Sequence, residues 1–356
     1  MTYRFDEIAI NSTAKKKPVE SDKFHYVGLE HIDSGSFEIT RWGSDVAPVG
    51  EKLIMQKGDV LFGKRRAYQR KVAIAPFDGI FSAHGMVLRP KEDVICKEFF
   101  PFFLSSNQFM DTAIRISVGG LSPTINWKDL QKQEFELPSI EEQRVLADKL
   151  WAAYELKEAY KKMIAATDEM VKSQFIEMFK NESLQVPLEK IVEVKDDCRK
   201  PINEGERSEM KEGDLHPYYG ATGIVDYIND YITDEELLCI AEDCGNYKAG
   251  EESAYIIRGK AWVNNHAHLV KVKDSCDIKY LYYYLKITNL MPYVSGTTRL
   301  KLTQKKLKEI LVTLPSAELQ NRFVAIAQQA DKSKFELRQA IEKIDKVMKS
   351  LINDIK

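Results

Sequence analysis

Cysteine is scarce in this chain: five among 356 residues (Cys96, Cys198, Cys239, Cys244 and Cys276), odd in number and without a C-x-x-C pair. Such sparse spacing excludes a disulfide framework and leaves the thiols reduced and structural. Long apolar runs are missing as well. None approaches the roughly 18 residues that span a bilayer, and the opening stretch "MTYRFDEIAINSTAKKK" lacks the charged-then-apolar layout of a secretion signal. A membrane is therefore not expected, and a cytoplasmic location follows by default. An excess of either charge is also absent, with 52 Lys and Arg against 54 Asp and Glu. A basic coat over the whole surface is ruled out, but phosphate binding depends on where cations cluster and not on their total.

Catalytic signatures are equally hard to find. Neither Gly63-Lys64 nor Gly259-Lys260 sits in a G-x-x-x-x-G-K-[ST] phosphate loop, and no G-x-G-x-x-G, G-x-S-x-G or H-E-x-x-H occurs. "HAH" at His266 to His268 has no second ligand pair at metal spacing, and Cys239 with Cys244 is no better placed. The chain is expected to hold no catalytic residue, no metal and no cofactor of its own.

What the sequence does have is a repeat. "LPSIEEQRVLADKL" from Leu137 returns as "LPSAELQNRFVAIA" from Leu314, and the same offset pairs Gly119 with Gly296, Lys128 with Lys305, Leu130 with Leu307 and Gln143 with Gln320. Upstream, "FFPFFL" (Phe99 to Leu104) falls on "YLYYYL" (Tyr280 to Leu285), and "SAHGMVL" falls on "NNHAHLV", which pairs His84 with His266. Small drifts in offset are what loop insertions between shared elements produce. The chain reads as two copies of one unit, each an irregular α+β domain followed by a long helix. The expected divisions are residues 1–137, a first domain; 138–180, a central helix; 181–313, a second domain; and 314–356, a C-terminal helix.

Ser139 can cap the central helix, with Glu142 completing a capping box; Ser316 keeps the cap of the second helix, but Leu319 stands where the box wants Glu. The central helix carries an apolar stripe of Leu146, Leu150, Ala153, Tyr160, Ile164, Val171 and Met178. The C-terminal one carries Phe323, Ile326, Ala330, Leu337, Ile341, Ile344, Met348, Leu351 and Ile355, stepping by three and four. One narrow stripe alone would be poorly buried. The two helices are expected to bury their stripes on each other as a long antiparallel coiled-coil spacer joining the two domains.

Two local clusters offset the near-neutral total. "LFGKRRAYQRKV" holds Lys64, Arg65, Arg66, Arg70 and Lys71 around Tyr68, and "TTRLKLTQKKLK" holds Arg299, Lys301, Lys305, Lys306 and Lys308, with no acid in either. Each could be a solvated charged face. Both lie in the irregular domains beside Gly-rich and Thr-rich turns, which favours DNA, since Lys and Arg contact phosphates while Arg, Asn, Ser and Thr also reach base edges. A further loop, "HPYYGATGIVDYIND", could display Tyr218, Tyr219 and Thr222 or bury its tyrosines. The aromatic runs at Phe99 to Phe103 and Tyr280 to Tyr284 sit at matched positions in helices and are expected to be core.

Taken in order, "YVGLEHIDSGS", "LPSIEEQ", "PYYGATGIVDY", "SGTTRLKLTQKKL" and "LPSAELQ" resemble the specificity subunit of type I restriction-modification enzymes, over nearly the whole chain and including its repeat. The resemblance implies a non-catalytic protein with two target recognition domains, each reading half of a bipartite, gapped double-stranded DNA site. It implies two modification subunits as partners, which bind S-adenosylmethionine and methylate adenine, and allows a restriction subunit that uses ATP and Mg²⁺. Asn265, His266, Thr297, Thr298 and Arg299 then become DNA-facing candidates in the second domain. Ser122 and Thr124 are their counterparts in the less basic "GGLSPTINW" of the first. The same subunit in a methylation-only or other restriction class, and a coiled-coil adaptor that binds only proteins, are the alternatives.

Overall fold

The computed structural model describes residues 1–243 and 246–353, so Cys244 and Ile355 lie outside the described residues. The chain folds as two compact units. One comprises Met1–Tyr160 with Gln339–Lys356, and the other comprises Lys161–Arg338. No helix among the described residues is long and apolar enough to cross a membrane.

Each unit is built on a four-stranded antiparallel sheet of the same order. In the first it runs Ala9–Ser12, Met86–Pro90, Val60–Phe62, Val72–Ile74; in the second, Val192–Val194, Ala267–Val272, Leu237–Ala241, Ala254–Ile257. The register repeats too: Phe62 faces Met86 where Ile240 faces His268. These strands are apolar on both faces because both are covered, so Val60 to Phe62 and Leu237 to Ala241 are buried throughout. The "YVG" and "YYG" phrases each enter a second sheet by a parallel pairing, Tyr26–Val27 on Gly79–Phe81 and His216–Gly220 on Lys260–Val263. There the units part company. After "YVG" the chain turns through a short 3-10 helix at Leu29–His31, whereas after "YYG" it forms a hairpin with Gly223–Ile228.

The aromatic runs are core in both units. Phe99, Phe100, Phe102 and Phe103 are fully buried, as is Tyr280, while Tyr283 and Tyr284 are nearly so. The second unit can bury tyrosine because each hydroxyl finds a partner: Tyr280 donates to the Thr313 carbonyl at 2.7 Å and Tyr284 to the Leu311 carbonyl at 3.0 Å.

The helix starts explain the doubled "LPS" phrase. Ser139 and Glu142 form the reciprocal capping box, with Ser139 N–H donating to Glu142 Oε2 at 2.9 Å and Glu142 N–H to Ser139 Oγ at 3.3 Å. Only the cap survives at Ser316, which accepts from Leu319 N–H at 3.4 Å. The more telling residue is the glutamine four positions past each serine. Gln143 is 1% exposed; its Nε2 donates to the Pro138 and Val94 carbonyls, and its Oε1 accepts from Cys96 N–H at 2.8 Å. Gln320 does the same with the Pro315 carbonyl and Asp277 N–H. A buried amide satisfied on three or two sides fixes the angle at which each helix leaves its domain.

The helices run Ile140–Phe179 and Ala317–Asn353, and each contributes a segment to both units. Within the second unit the segments are antiparallel: Asp168 pairs with Lys334 at 2.6 Å, and further along Phe175 meets Phe323 at 5.3 Å between ring centres. Within the first, Lys157 pairs with Asp345 at 2.6 Å. Lys157 and Lys334 are one repeat apart, as are Asp168 and Asp345. Of the expected stripe residues, Leu150, Val171, Phe323 and Met348 are buried; Leu146, Tyr160, Ile164, Leu337, Ile341, Ile344 and Leu351 are half-buried. The deepest positions include the polar Gln143, Lys157, Gln320 and Lys334, which a search for apolar spacing passes over.

Candidate nucleic-acid interface

In both units the segment after the central buried strand supports a tight loop held by a glycine. In the first unit, Val118 and Thr124 exchange backbone hydrogen bonds, closing a loop whose Gly119 has φ +115°; Thr124 bridges to Arg65, and Ile125 N–H donates to the Lys64 carbonyl at 3.0 Å. In the second, Ser295 and Lys301 close the loop, Gly296 has φ +96°, Lys301 bridges to Asp243, and Leu302 N–H donates to the Glu242 carbonyl at 2.7 Å. Histidine backbone completes both: Arg65 N–H donates to the His84 carbonyl and Glu242 N–H to that of His266. The loops close on matching residues, with the histidine bond shifted by one position, and the charges are exchanged. Lys64 and Arg65 stand where the second unit has Glu242 and Asp243, and Ser122 and Thr124 stand where it has Arg299 and Lys301.

The first unit gathers cations. Arg65 Nη1 lies 3.4 Å from the His84 ring, and Arg66, held in the left-handed region at φ +57°, donates to Ser122 Oγ at 3.1 Å. A cleft of about 310 Å³ opens among Arg65, Arg66, Gln69, His84, Tyr26 and Glu30. Burial, helped by the charges of Arg65, Lys64 and Lys52, holds the His84 imidazole below its ordinary pKa. Burial and the nearby Lys15 likewise lower that of Lys64. Four expected residues, Arg65, Arg66, Ser122 and Thr124, are brought together at this loop, whereas Lys64 lines a separate cleft with Lys15, Asn126 and Trp127. Tyr68 is exposed. Arg70 and Lys71 turn elsewhere: Arg70 donates to Asn107 Oδ1 at 2.7 Å and lies 3.7 Å from Asp111, and Lys71 Nζ donates to the Leu29 carbonyl at 2.6 Å.

The second unit pairs its cations with acids that the linear cluster does not contain. Arg299 Nη2 meets Asp243 Oδ2 at 2.6 Å, and the other oxygen of Asp243 lies 2.8 Å from His266 Nδ1. Lys301 meets Glu242 at 3.1 Å, and Glu242 also accepts from Arg199 at 2.7 Å. Burial alone would push the Glu242 carboxyl up, but the bonds from Arg199 and Lys301 outweigh it and hold the group below its usual range. Asp196 behaves in the same way: burial raises it, and His268, Gln304 and the Leu269 N–H more than compensate. Thr297 and Thr298 are exposed in the loop, and Asn265 is exposed beside His266.

The tyrosine loop divides. Tyr218 does not belong to a DNA-facing set: it is 2% exposed, packed with Ile228 and Trp262, because its strand is flanked on both sides by others. Tyr219 is half-buried and stacked on Tyr255 at 5.4 Å, while Thr222 is exposed at the hairpin turn. Composition could not find Asp243 and Glu242, which lie far from the basic run in sequence. Extending the repeat would have placed them, since the offset that aligns the two buried strands sets Lys64-Arg65 against Glu242-Asp243. Among the described residues no cluster of His, Cys, Asp and Glu is arranged to hold a metal.

The Type I restriction modification DNA specificity domain, as a family model, matches this chain twice, at residues 7–165 and 182–346. The chain is 35% identical over 140 residues to the S.HindORF215P specificity subunit of a type I restriction enzyme from Haemophilus influenzae, covering 39% of this chain and 35% of that protein. It is 24% identical over 163 residues to the EcoDI specificity subunit from Escherichia coli, covering 45% and 36%. These alignments thus span only about a third of the length of either relative. Among solved structures, one described as showing the assembly and conformational transition of a type I R-M system aligns over 99% of this chain and 96% of its own, with TM-score 0.58 and 19% identity. The S subunit of a type I restriction-modification system from M. genitalium aligns over 100% and 95%, with TM-score 0.56 and 16% identity. At such identities the likeness is one of fold.

Proposed function

The chain belongs to the type I restriction modification DNA specificity family, and from that membership we propose that it is the DNA-recognition subunit of a type I restriction-modification enzyme. Its two recognition domains, residues 1–137 and 181–313, each read one half of a bipartite, gapped site in double-stranded DNA. The helices, residues 138–180 and 314–356, dock two adenine methyltransferase subunits, to which a restriction subunit can add. The chain itself catalyses nothing in this reading; S-adenosylmethionine belongs to the modification partner, and ATP with Mg²⁺ to the restriction partner.

One observation carries the reading: the family match occurs once in each half, and each half builds the same glycine-hinged loop with cationic side chains beside it. Loops of that kind on a rigid sheet are where recognition residues sit. The helices leave Met163, Met170, Ile176, Phe335 and Val347 exposed, apolar side chains that a protein partner would cover. The test is co-expression with an adenine methyltransferase subunit and single-molecule sequencing of host DNA for N6-methyladenine. A gapped two-part motif that depends on this chain is the expected result. Absence of both methylation and a stable complex would turn the reading toward a protein-only adaptor.

A further inference from the structure

Arg299 is an unusual cation for a surface that binds a polyanion. It projects from a loop that glycine alone allows, since a Cβ on Gly296 would fall 2.3 Å from the Arg299 carbonyl oxygen. The loop is clamped at its base by the Ser295–Lys301 backbone pair and by the Lys301–Glu242 ion pair at 3.1 Å. Asp243, only 14% exposed in its side chain, takes one Nη of Arg299 with one oxygen and meets His266 with the other. The arginine side chain itself is 58% exposed. Its position is fixed, its donors are open to solvent, and its charge is largely cancelled.

That combination separates two uses of arginine. A phosphate contact draws on net charge, which Asp243 removes; a base contact draws on the planar fork, which Asp243 steadies. A guanidinium held by one nitrogen keeps further N–H groups in a fixed plane, the geometry that meets the O6 and N7 acceptors of guanine in the major groove. The first unit makes the opposite choice. Among the described residues Arg65 and Arg66 form no ion pair; they meet the His84 ring and the Ser122 hydroxyl, with Glu30 lining the same cleft, so they keep more of the charge that phosphates attract.

We propose that Arg299 is a specificity-determining residue that reads a guanine in the half-site of the second recognition domain, with Asp243 and His266 as positioning residues. This rests on the DNA-recognition reading above and adds to it a residue and a base. The test uses the full chain assembled with its modification subunits and a pool of duplexes randomised across both half-sites, selected for binding at several salt concentrations. Arg299→Ala should lose the preference for one guanine by roughly 5- to 150-fold and leave the other half-site untouched. Arg299→Lys, which keeps a point charge without the fork, should not restore it. Asp243→Asn should blur the same position while making affinity more salt-dependent by about one phosphate contact, a change no purely structural role predicts. Uniform weakening of Arg299→Ala on every sequence, restoration by lysine, or an Asp243→Asn variant with unchanged preference and salt slope would each overturn the inference. A wild-type assembly that selects no sequence at all would instead overturn the DNA-recognition reading itself, and the inference with it.

Discussion

The loops at 118–124 and 295–301 have one backbone and two electrostatic designs. Both hang on a glycine with positive φ, both close with reciprocal backbone bonds, and both rest on two residues at the end of a buried strand, directly after it in the second unit and after Gly63 in the first. In the first unit those two residues are Lys64 and Arg65, so the supporting segment carries the charge and the loop is neutral. In the second they are Glu242 and Asp243, so the supporting segment is acidic and the loop carries Arg299 and Lys301. The lesson is that sheet and loop geometry are set by strand register, turn glycine and backbone pairing, none of which constrains the outward side chains. One scaffold can therefore present arginines held by a histidine ring and a hydroxyl in one unit and an arginine held by a carboxylate in the other.

The sharpest way to break the likeness is through the glycines. Gly296→Ala should destabilise the second unit by roughly 3 kcal/mol, because it adds left-handed strain to a backbone clash, with the added Cβ 2.3 Å from Arg299 O. Gly119→Ala should cost only about 1 kcal/mol, the conformational strain alone, since nothing lies nearer than 3.6 Å. Urea unfolding of the two variants would measure both; equal effects would mean that the closer approach at Gly296 does not set the cost. A second comparison tests the supporting segment. Glu242→Gln removes one of the two carboxylates that meet Arg199, whose side chain is 13% exposed and which keeps Asp196 at 3.2 Å, and should cost about 1 kcal/mol. At the matching position Lys64→Met should be neutral or slightly stabilising, since burial and Lys15 already disfavour that lysine's charge. If Lys64→Met proved as harmful as Glu242→Gln, the claim of exchanged charge roles would fail.

Much of this was legible in the residues. The repeat, the capping box at Ser139, the α+β domains and the buried aromatic runs all follow from spacing and local chemistry. The family resemblance rested on phrases that turn out to be structural joints, such as Gln143 and Gln320 pinning the helix starts. What spacing could not show were partners brought together by folding. Arg299 reads as a free cation until strand Leu237–Ala241 delivers Asp243 to it. Tyr218 reads equally well as displayed or buried until its strand is seen flanked on both sides. Lys157 and Lys334 carry no signal in apolar spacing, yet each is buried opposite an aspartate. Hydrophobic periodicity reports apolar faces; it is silent on a polar group buried with its partner.

The helix pair offers a comparison with a smaller expected effect. Lys334 answers two carboxylates, Asp168 at 2.6 Å and Asp331 at 2.9 Å, whereas Lys157 has Asp345 at 2.6 Å. Replacing Lys334 with Met leaves two aspartates without their cation, and Lys157→Met leaves one. The aspartates are 39–50% exposed, so water recovers most of the loss. Both variants should stay within about 1 kcal/mol of the parent in urea unfolding, with Lys334→Met the worse of the two.

Acid should distinguish the two loops by the pH at which each begins to lose support. In the first unit the folded His84 binds its proton less readily than it would unfolded, burial being the main cause. The unfolded chain therefore holds more protons just below the histidine's ordinary value, and stability falls as pH drops through that range. In the second unit the depressed groups are carboxylates, Glu242 and Asp196, held down by Arg199, Lys301, His268 and Gln304 against the pull of burial. Their contribution is intact above the ordinary carboxylate range and is lost only as pH falls through it toward their lowered folded values. Urea unfolding at pH 7, 5.5 and 3 (the last two about one unit to either side of the carboxylate range), on parent, His84→Gln and Glu242→Gln, would separate them. His84→Gln should flatten the decline between the first two values, and Glu242→Gln the decline below them. The reverse assignment would mean that the charges identified at each loop do not govern its stability.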